Sequence, residues 1–381
     1  MHSKYPYFSL SKALAMQPKS FCLLLILIGF NYSKSQGQGN LEKWLTLKPD
    51  SSFVQNNQHD LILRVYASQK YSSQTITDHG EKMSLDYRPS NGYVVGLGFN
   101  YKFLGVNIGT IFPFAQPDNN RYGKTKYLDF QSHLYLRFLT VDFYTGYYKG
   151  MYLANSASVL NTPPQMNDLY TRGDISIYSG GFGVYANLNP TKYSVRAPFL
   201  QNEWQKKSAG QPMLGFELYW VSSTADSSFV PSLLKNKNFF DGINFDKWRF
   251  YSVNLTGGYA YTLVIFKRFF VMASLNGSLG IGEYQLSPVS GSRMISIYPN
   301  ISLNQKFGMG YHFERIFVGM SFANFQYFTP TPIEMTYIRW QTGNLRFNIA
   351  YRIDLKKDIE IRPWKWFGSK KETDPTFRDK D

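Results

Sequence analysis

The chain has 381 residues, among them 31 Phe, 29 Tyr and 7 Trp, and its 41 Lys+Arg against 26 Asp+Glu give a formal net charge of +15. The abundance of aromatic and β-branched residues excludes an intrinsically disordered chain, and a single Cys excludes a disulfide framework or a cysteine-ligated metal site. Past residue 30 no apolar run reaches the about 18 residues that a membrane-spanning helix needs, which excludes a helical membrane bundle.

The first element is an export signal. Phe21 to Phe30 reads FCLLLILIGF, with Lys19 before it and Ser33, Lys34, Ser35 and Gln36 after it. A basic flank, a short apolar core and small residues before the cut define a signal peptide over 1–35, cleaved after Ser35. The run is too short to cross a bilayer, and Cys22 lies at its start, where it cannot serve as a lipoprotein cysteine. Met16 to Ser35 is a complete signal by itself. A cysteine-free chain after the cut suits passage through an oxidising compartment. Export also argues against nucleic acid as the partner of this basic chain. Residues 36–58 are expected to form a periplasmic N-terminal segment.

From residue 59 the dominant period is two, the pleat period of a strand. In 251–263, Tyr251, Val253, Leu255, Tyr259, Tyr261 and Leu263 alternate with Ser252, Asn254, Thr256, Ala260 and Thr262. The runs at 269–281 and 295–307 repeat the pattern, and others lie at 126–138, 140–152, 173–188, 315–327 and 344–354. Weaker runs lie at 60–70, 92–103, 105–113 and 210–223. A soluble sandwich would give its second face to Lys, Glu and Thr; here that face is Gly, Ser, Asn, Thr and Tyr. The runs also exceed the roughly five or six residues of ordinary soluble strands. In lipid only helices and closed barrels satisfy every backbone group, so the pattern predicts an all-β fold over 59–355. That fold is a closed antiparallel transmembrane β-barrel of about 12 strands, in the range of roughly 10–14.

Connectors support the barrel. Very short turns at Phe103-Leu104-Gly105, Phe138-Leu139-Thr140, Phe266-Lys267-Arg268 and Phe313-Glu314-Arg315 alternate with longer polar stretches at 71–91, 115–124, 154–172, 224–247, 284–292 and 329–335. Bacterial barrels alternate short periplasmic turns and long external loops in this way, which puts both termini in the periplasm. The stretch 189–209 should be a short turn and is too long. Two further strands are conceivable, one around Leu85–Arg88 or in 189–209 and one made by a hairpin at Gly343-Asn344. Gly180-Gly181 coincides with a switch of the apolar residues from Ile175/Ile177 to Phe182/Val184/Leu188, which predicts a bulge. Gly96-Leu97-Gly98 and Gly308-Met309-Gly310 read as close-packing positions inside strands.

Parity places Tyr127, Asp129, Gln131, His133, Tyr135 and Arg137 on one inner face, and Asn344, Arg346, Asn348 and Arg352 on another. Asp142 should also face inward, near Arg137. The expected lumen charge network is therefore Asp129, His133, Arg137, Asp142, Arg346 and Arg352. A charge inside a barrel must be paired or wetted, so the network reads first as bracing of the wall and second as a constriction that selects solutes. No catalytic, cofactor or metal residues emerge. Ser132 and His133 point to opposite faces of a strand, His312 has no nucleophile in register, and no HExxH or other metal-ligand spacing is present. Residues 356–381 form a charged periplasmic tail, in which Trp364, Trp366 and Phe367 could dock on a partner or the inner membrane rim.

Leu85-Asp86-Tyr87-Arg88-Pro89, GYVVGLGFNYKFLGVNIG at 92–109, Tyr122-Gly123-Lys124-Thr125-Lys126 and HLYLRFLTVDFYTGYYKGMYL at 133–153 resemble a family of Bacteroidota outer-membrane proteins, domain-of-unknown-function family 4421. The resemblance implies a signal peptide and an outer-membrane barrel, and brings no activity or site residues. Gly123-Lys124-Thr125 lacks the earlier glycine and the following helix of a phosphate loop. The reading from residues and resemblance together is an outer-membrane β-barrel without cofactor. It serves as a passive, anion-preferring channel for small solutes or as a structural envelope scaffold, with a lipid-modifying enzyme as the alternative. The partners expected are outer-membrane lipid, small solutes and other envelope proteins.

Overall fold

The period-two runs form long antiparallel strands, because alternation offers lipid one apolar face while neighbouring strands satisfy the backbone. The computed structural model describes residues 47–101, 104–112, 114, 116–160, 169–234 and 239–355. The expected signal peptide and charged tail lie outside the described residues. In chain order the strands are β1 (Val54–Asn56), β2 (Leu61–Asp78), β3 (Met83–Pro89), β4 (Val94–Tyr101), β5 (Leu104–Ile111), β6 (Lys126–Tyr135), β7 (Leu139–Leu153) and β8 (Thr171–Asn187). They continue with β9 (Glu203–Gln205), β10 (Ala209–Thr224), β11 (Phe245–Ile265), β12 (Phe269–Pro288), β13 (Met294–His312), β14 (Ile316–Pro330) and β15 (Thr336–Ile353). Short helices α1 (Asn119–Tyr122), α2 (Ser156–Leu160) and α3 (Arg196–Phe199) sit in connectors.

The barrel closes when β15 pairs with β2, from Thr336↔Asp78 to Ile353↔Leu61. The ring runs β2-β3-β7-β8-β10-β11-β12-β13-β14-β15, ten strands, with β4, β5 and β6 attached to the same sheet. Twelve strands were expected, and the chain makes that many passes if β3 and β4 count as one: both pair with β2, β3 along Gln74–Asp78 and β4 along Ile62–Ser68. The ring is smaller because β3 reaches β7 directly (Tyr87↔Leu153 to Pro89↔Met151) and bypasses β5 and β6.

Face assignment follows parity. Leu255 is 76% exposed and Val253 and Leu263 are exposed on the outer face, whereas Asn254 at 1% and Ser252 and Thr256 point into the barrel. Strands extend farther than alternation alone indicated. Most of 71–91 is β2 and β3, and β12 runs to Pro288. Gly343-Asn344 lies inside β15 and is no hairpin. The expected bulge at Gly180-Gly181 is absent, since β8 keeps register with β7 and β10 through both residues. These glycines instead admit rings: a Cβ on Gly180 would lie 2.1 Å from Trp220, and one on Gly181 2.2 Å from Tyr144. The apolar residues change face there because the upper lumen is itself apolar. Ile175 and Ile177 join Tyr87, Trp248, Phe250, Tyr327 and Trp340 in one buried cluster inside the ring.

Candidate functional site

The wall changes construction at β7. One edge of this strand pairs with β6 up to Lys126↔Lys149 and with β3 from Pro89↔Met151 onward. The residue between is Gly150, at φ +91, where a Cβ would meet the Lys124 carbonyl oxygen at 2.3 Å; only glycine tolerates that conformation and approach. The Thr125 hydroxyl fastens the junction, donating to Gly150 O (2.7 Å) and accepting from Ser90 N (2.7 Å). Below it β5 pairs only with β4 and β6 only with β7, so among the described residues the facing edges of β5 and β6 are unpaired. Every described β5 side chain from Gly105 to Ile111 is exposed, on both faces, with Ile108 at 70%.

Behind this gap lies a cavity of about 700 Å³, lined by inward side chains of β2, β6, β14 and β15 and by Phe199 and Leu200. The outward residues of β2 at the same level, Leu63 and Val65, are exposed and apolar, so the cavity lies level with an apolar stretch of the outer surface. The mouth is apolar, with Val94, Val106, Ile111, Leu128 and Phe130, and the floor is charged, with Arg64, Lys70, Asp129, His133 and Arg346. Glycines let the floor approach the wall: Tyr66 Oη would lie 2.6 Å from a Cβ on Gly96 or Gly109, and Arg64 Nε 3.1 Å from one on Gly98.

All six network residues expected from parity occur near the lumen, but in five separate places, Arg346 standing alone. Asp129 pairs with Lys70 (2.7 Å) and accepts from Tyr148 Oη (2.8 Å). His133 Nδ1 meets Asp142 Oδ1 at 2.7 Å, and Lys306 Nζ holds the other carboxylate oxygen at 2.5 Å. Asp142 therefore faces inward as expected but is not Arg137's partner. Arg137 goes to Glu203 (2.6 Å), which also takes Arg196 (3.3 Å). The reason is reach: 189–209, expected as an overlong turn, folds back into the barrel mouth and brings Glu203 to Arg137. Burial pushes the Arg196 guanidinium below its usual pKa, and Glu203 opposes that shift. Arg352 bonds His312 Nδ1 (2.5 Å) and the carbonyls of Gln201, Phe313 and Glu314.

Arg346 differs from the rest. Its guanidinium lies 5.0 Å from the Tyr66 ring centroid, its Nε is buried without a partner, and it makes no ion pair or hydrogen bond among the described residues. Arg64, which parity in the weak run at 60–70 left unremarked, is 3% exposed. It donates only to neutral oxygens: Phe199 O (3.1 Å), Gln201 Oε1 (3.0 Å), Asn107 Oδ1 (2.6 Å) and Asn100 Oδ1 (3.5 Å). Glu217, also unremarked, is buried and accepts from Tyr185 Oη (2.7 Å), Ser278 (2.7 Å) and Ser302 (2.9 Å). A lone acid on the inward parity of 210–223 was the available signal. Among the described residues no group of three or more His, Cys, Asp or Glu could hold a metal ion.

The ends of the lumen are filled. At one end α3 and β9 lie inside, with Pro198 against Gly308, Phe199 stacked on Tyr135 and Asn100 Nδ2 donating to Leu200 O (2.8 Å). At the other, Phe229, Phe239 and Phe240 from the 225–244 connector pack among Phe245, Trp248 and Tyr87. Phe240 N is fixed to Asp78 Oδ2 at 2.8 Å.

Among solved structures, the chain is similar to the outer membrane protease OmpT of Escherichia coli (9% identity, TM-score 0.37, covering 80% of this chain and 100% of that one). It is similar also to the translocator domain of the autotransporter NalP of Neisseria meningitidis (7% identity, TM-score 0.29, 88% and 98%). A third is the toluene transporter TodX of P. putida (8% identity, TM-score 0.20, 78% and 91%). No curated protein matches the sequence. The fold is a closed antiparallel β-barrel, and a family model matches residues 48–353. The chain thus belongs to the family described as Domain of unknown function (DUF4421).

Proposed function

We propose that this protein resides in the outer membrane and receives small amphiphilic molecules from the lipid through the gap between β5 and β6. The observation that carries the reading is that, among the described residues, β5 and β6 do not pair in front of a cavity of about 700 Å³, level with the exposed apolar Leu63 and Val65. That volume lies within the roughly 300–1,000 Å³ typical of small-molecule sites. The filled ends support side entry over a porin-like path along the axis. The protein stays a handler of small solutes, as its inward polar face suggested, but the solute arrives sideways. A photoactivatable alkyl probe in nanodiscs containing the protein tests this. Adducts concentrated on 105–111, 127–135 and the inward Tyr66 are expected, and planar bilayers should show no steady conductance. Adducts spread evenly around the outer belt, or large open-channel currents, would contradict it.

A second reading rests on the His133–Asp142 pair, since a carboxylate 2.7 Å from Nδ1 orients an imidazole for proton transfer, and His133 lines the same cavity. In that case the barrel is a lipid-modifying enzyme. Hydrolysis of a membrane phospholipid, lost in His133→Ala, is its signature; no hydrolysis by the wild type removes it.

A further inference from the structure

Two arginines on the cavity floor lack a counter-charge. Arg346 of β15 stands opposite Ser68 of β2, and Arg64 lies two pleat repeats farther along β2, opposite Ala350, with Tyr66 between. Both side chains line the same cavity. Neither forms an ion pair among the described residues, and both Nε atoms are buried without a partner. The nearby carboxylates are engaged, Asp129 by Lys70 and Asp142 by Lys306 and His133. Arg64 is buried and Arg346 half-buried, and their buried Nε donors, lacking partners, call for an acceptor. Arg64 is held in place by four neutral oxygens, which orient the fork without neutralising it.

We infer that Arg64 and Arg346 form the headgroup site for a single-chain amphiphile ending in an oxyanion, a phosphate or a carboxylate. The inference rests on side entry between β5 and β6 and names the chemical class that enters. A planar guanidinium binds such oxyanions in two-pronged fashion. The apolar mouth at Val106, Ile111, Leu128 and Phe130 takes the proximal part of the chain, and the remainder stays in lipid. Either arginine alone would be a bracing cation; the pair, with both Nε donors unmet, no carboxylate on either and the β5–β6 gap in front, is a binding site.

The test uses the full protein in nanodiscs of zwitterionic lipid. A photoactivatable dodecyl phosphate is competed by dodecyl phosphate, dodecanoate, dodecanol, dodecyltrimethylammonium and inorganic phosphate. The two anionic amphiphiles should displace the probe from β5 and β6, well ahead of dodecanol and of the cationic amphiphile. Inorganic phosphate should compete weakly, and equal competition by it would make the ligand a free anion and overturn the amphiphile. Arg346→Gln should weaken dodecyl phosphate about ten- to a hundredfold, the size of a lost charged hydrogen-bond pair, and leave dodecanol unchanged. Arg346→Lys should fall between, because it keeps the charge and loses the fork. If Arg346→Gln does not fold, the competition series on the wild type still decides. Labelling confined to the gap but indifferent to headgroup charge overturns the anion site and leaves side entry standing; labelling away from β5 and β6 removes side entry itself.

Discussion

Inside the barrel, Lys306 and Asp142 are fully enclosed, so each depends on the other. Asp142 has one oxygen on Lys306 at 2.5 Å and one on His133 at 2.7 Å, and Lys306 also lies over the rings of Tyr135 and Tyr185. Removing one partner of a buried pair strands the other charge, at a cost of about 3–5 kcal/mol. Lys306→Met should lower stability by about that much in urea unfolding, and adding Asp142→Asn should restore much of it, since exchanging both partners is far less costly. Equal losses in the single and double variants would show that the pair is not coupled. Parity was enough to put Asp129, His133 and Asp142 inside, because a strand has only two faces. It could not name their partners: Lys306 is 164 positions from Asp142 and Lys70 is 59 from Asp129. Which inward residues meet across a lumen is set by barrel size and stagger, which single strands do not encode.

For β7, the decisive position is Gly150. The strand changes neighbour from β6 to β3 there, and its register with β8 shifts between Lys149 and Met151. Gly150→Ala places a Cβ 2.3 Å from a backbone oxygen at φ +91. Strain of this kind costs about 1–3 kcal/mol, and heat-modified mobility of the barrel should show a lower melting temperature for the variant. An unchanged melting temperature would mean that the junction is looser than described. The sequence showed Gly150 only as one more glycine in an alternating run. The plug was legible as an anomaly, since 189–209 was too long for a periplasmic turn, but its destination was not. Similarly, Gly180-Gly181 signalled a departure from regular packing. It proved to be space for Trp220 and Tyr144, because glycine marks close approach and bulge alike.

At the scale of the whole molecule, alternation predicted a closed barrel and nearly its strand number, for lipid on one side imposes the period directly. The gap was not legible. β5 and β6 alternate like any other strand of the wall, and whether their facing edges meet depends on how β3 reaches β7 from elsewhere in the chain. Under the proposed side entry the gap is the inlet from the membrane to the cavity that Arg64 and Arg346 line. Because Cys22 is the only cysteine and lies in the expected signal peptide, the gap can be tested by disulfide trapping. Cysteine pairs would join Val106, Ile108 or Thr110 of β5 to Leu128, Phe130 or Ser132 of β6, with Leu255 and Leu279, which are registered across β11 and β12, as the paired control. Paired strands hold opposed Cα atoms about 4.5–5.5 Å apart, within disulfide reach. The prediction is efficient oxidation of the control and none of the β5–β6 pairs; a β5–β6 disulfide forming as readily as the control would contradict the account.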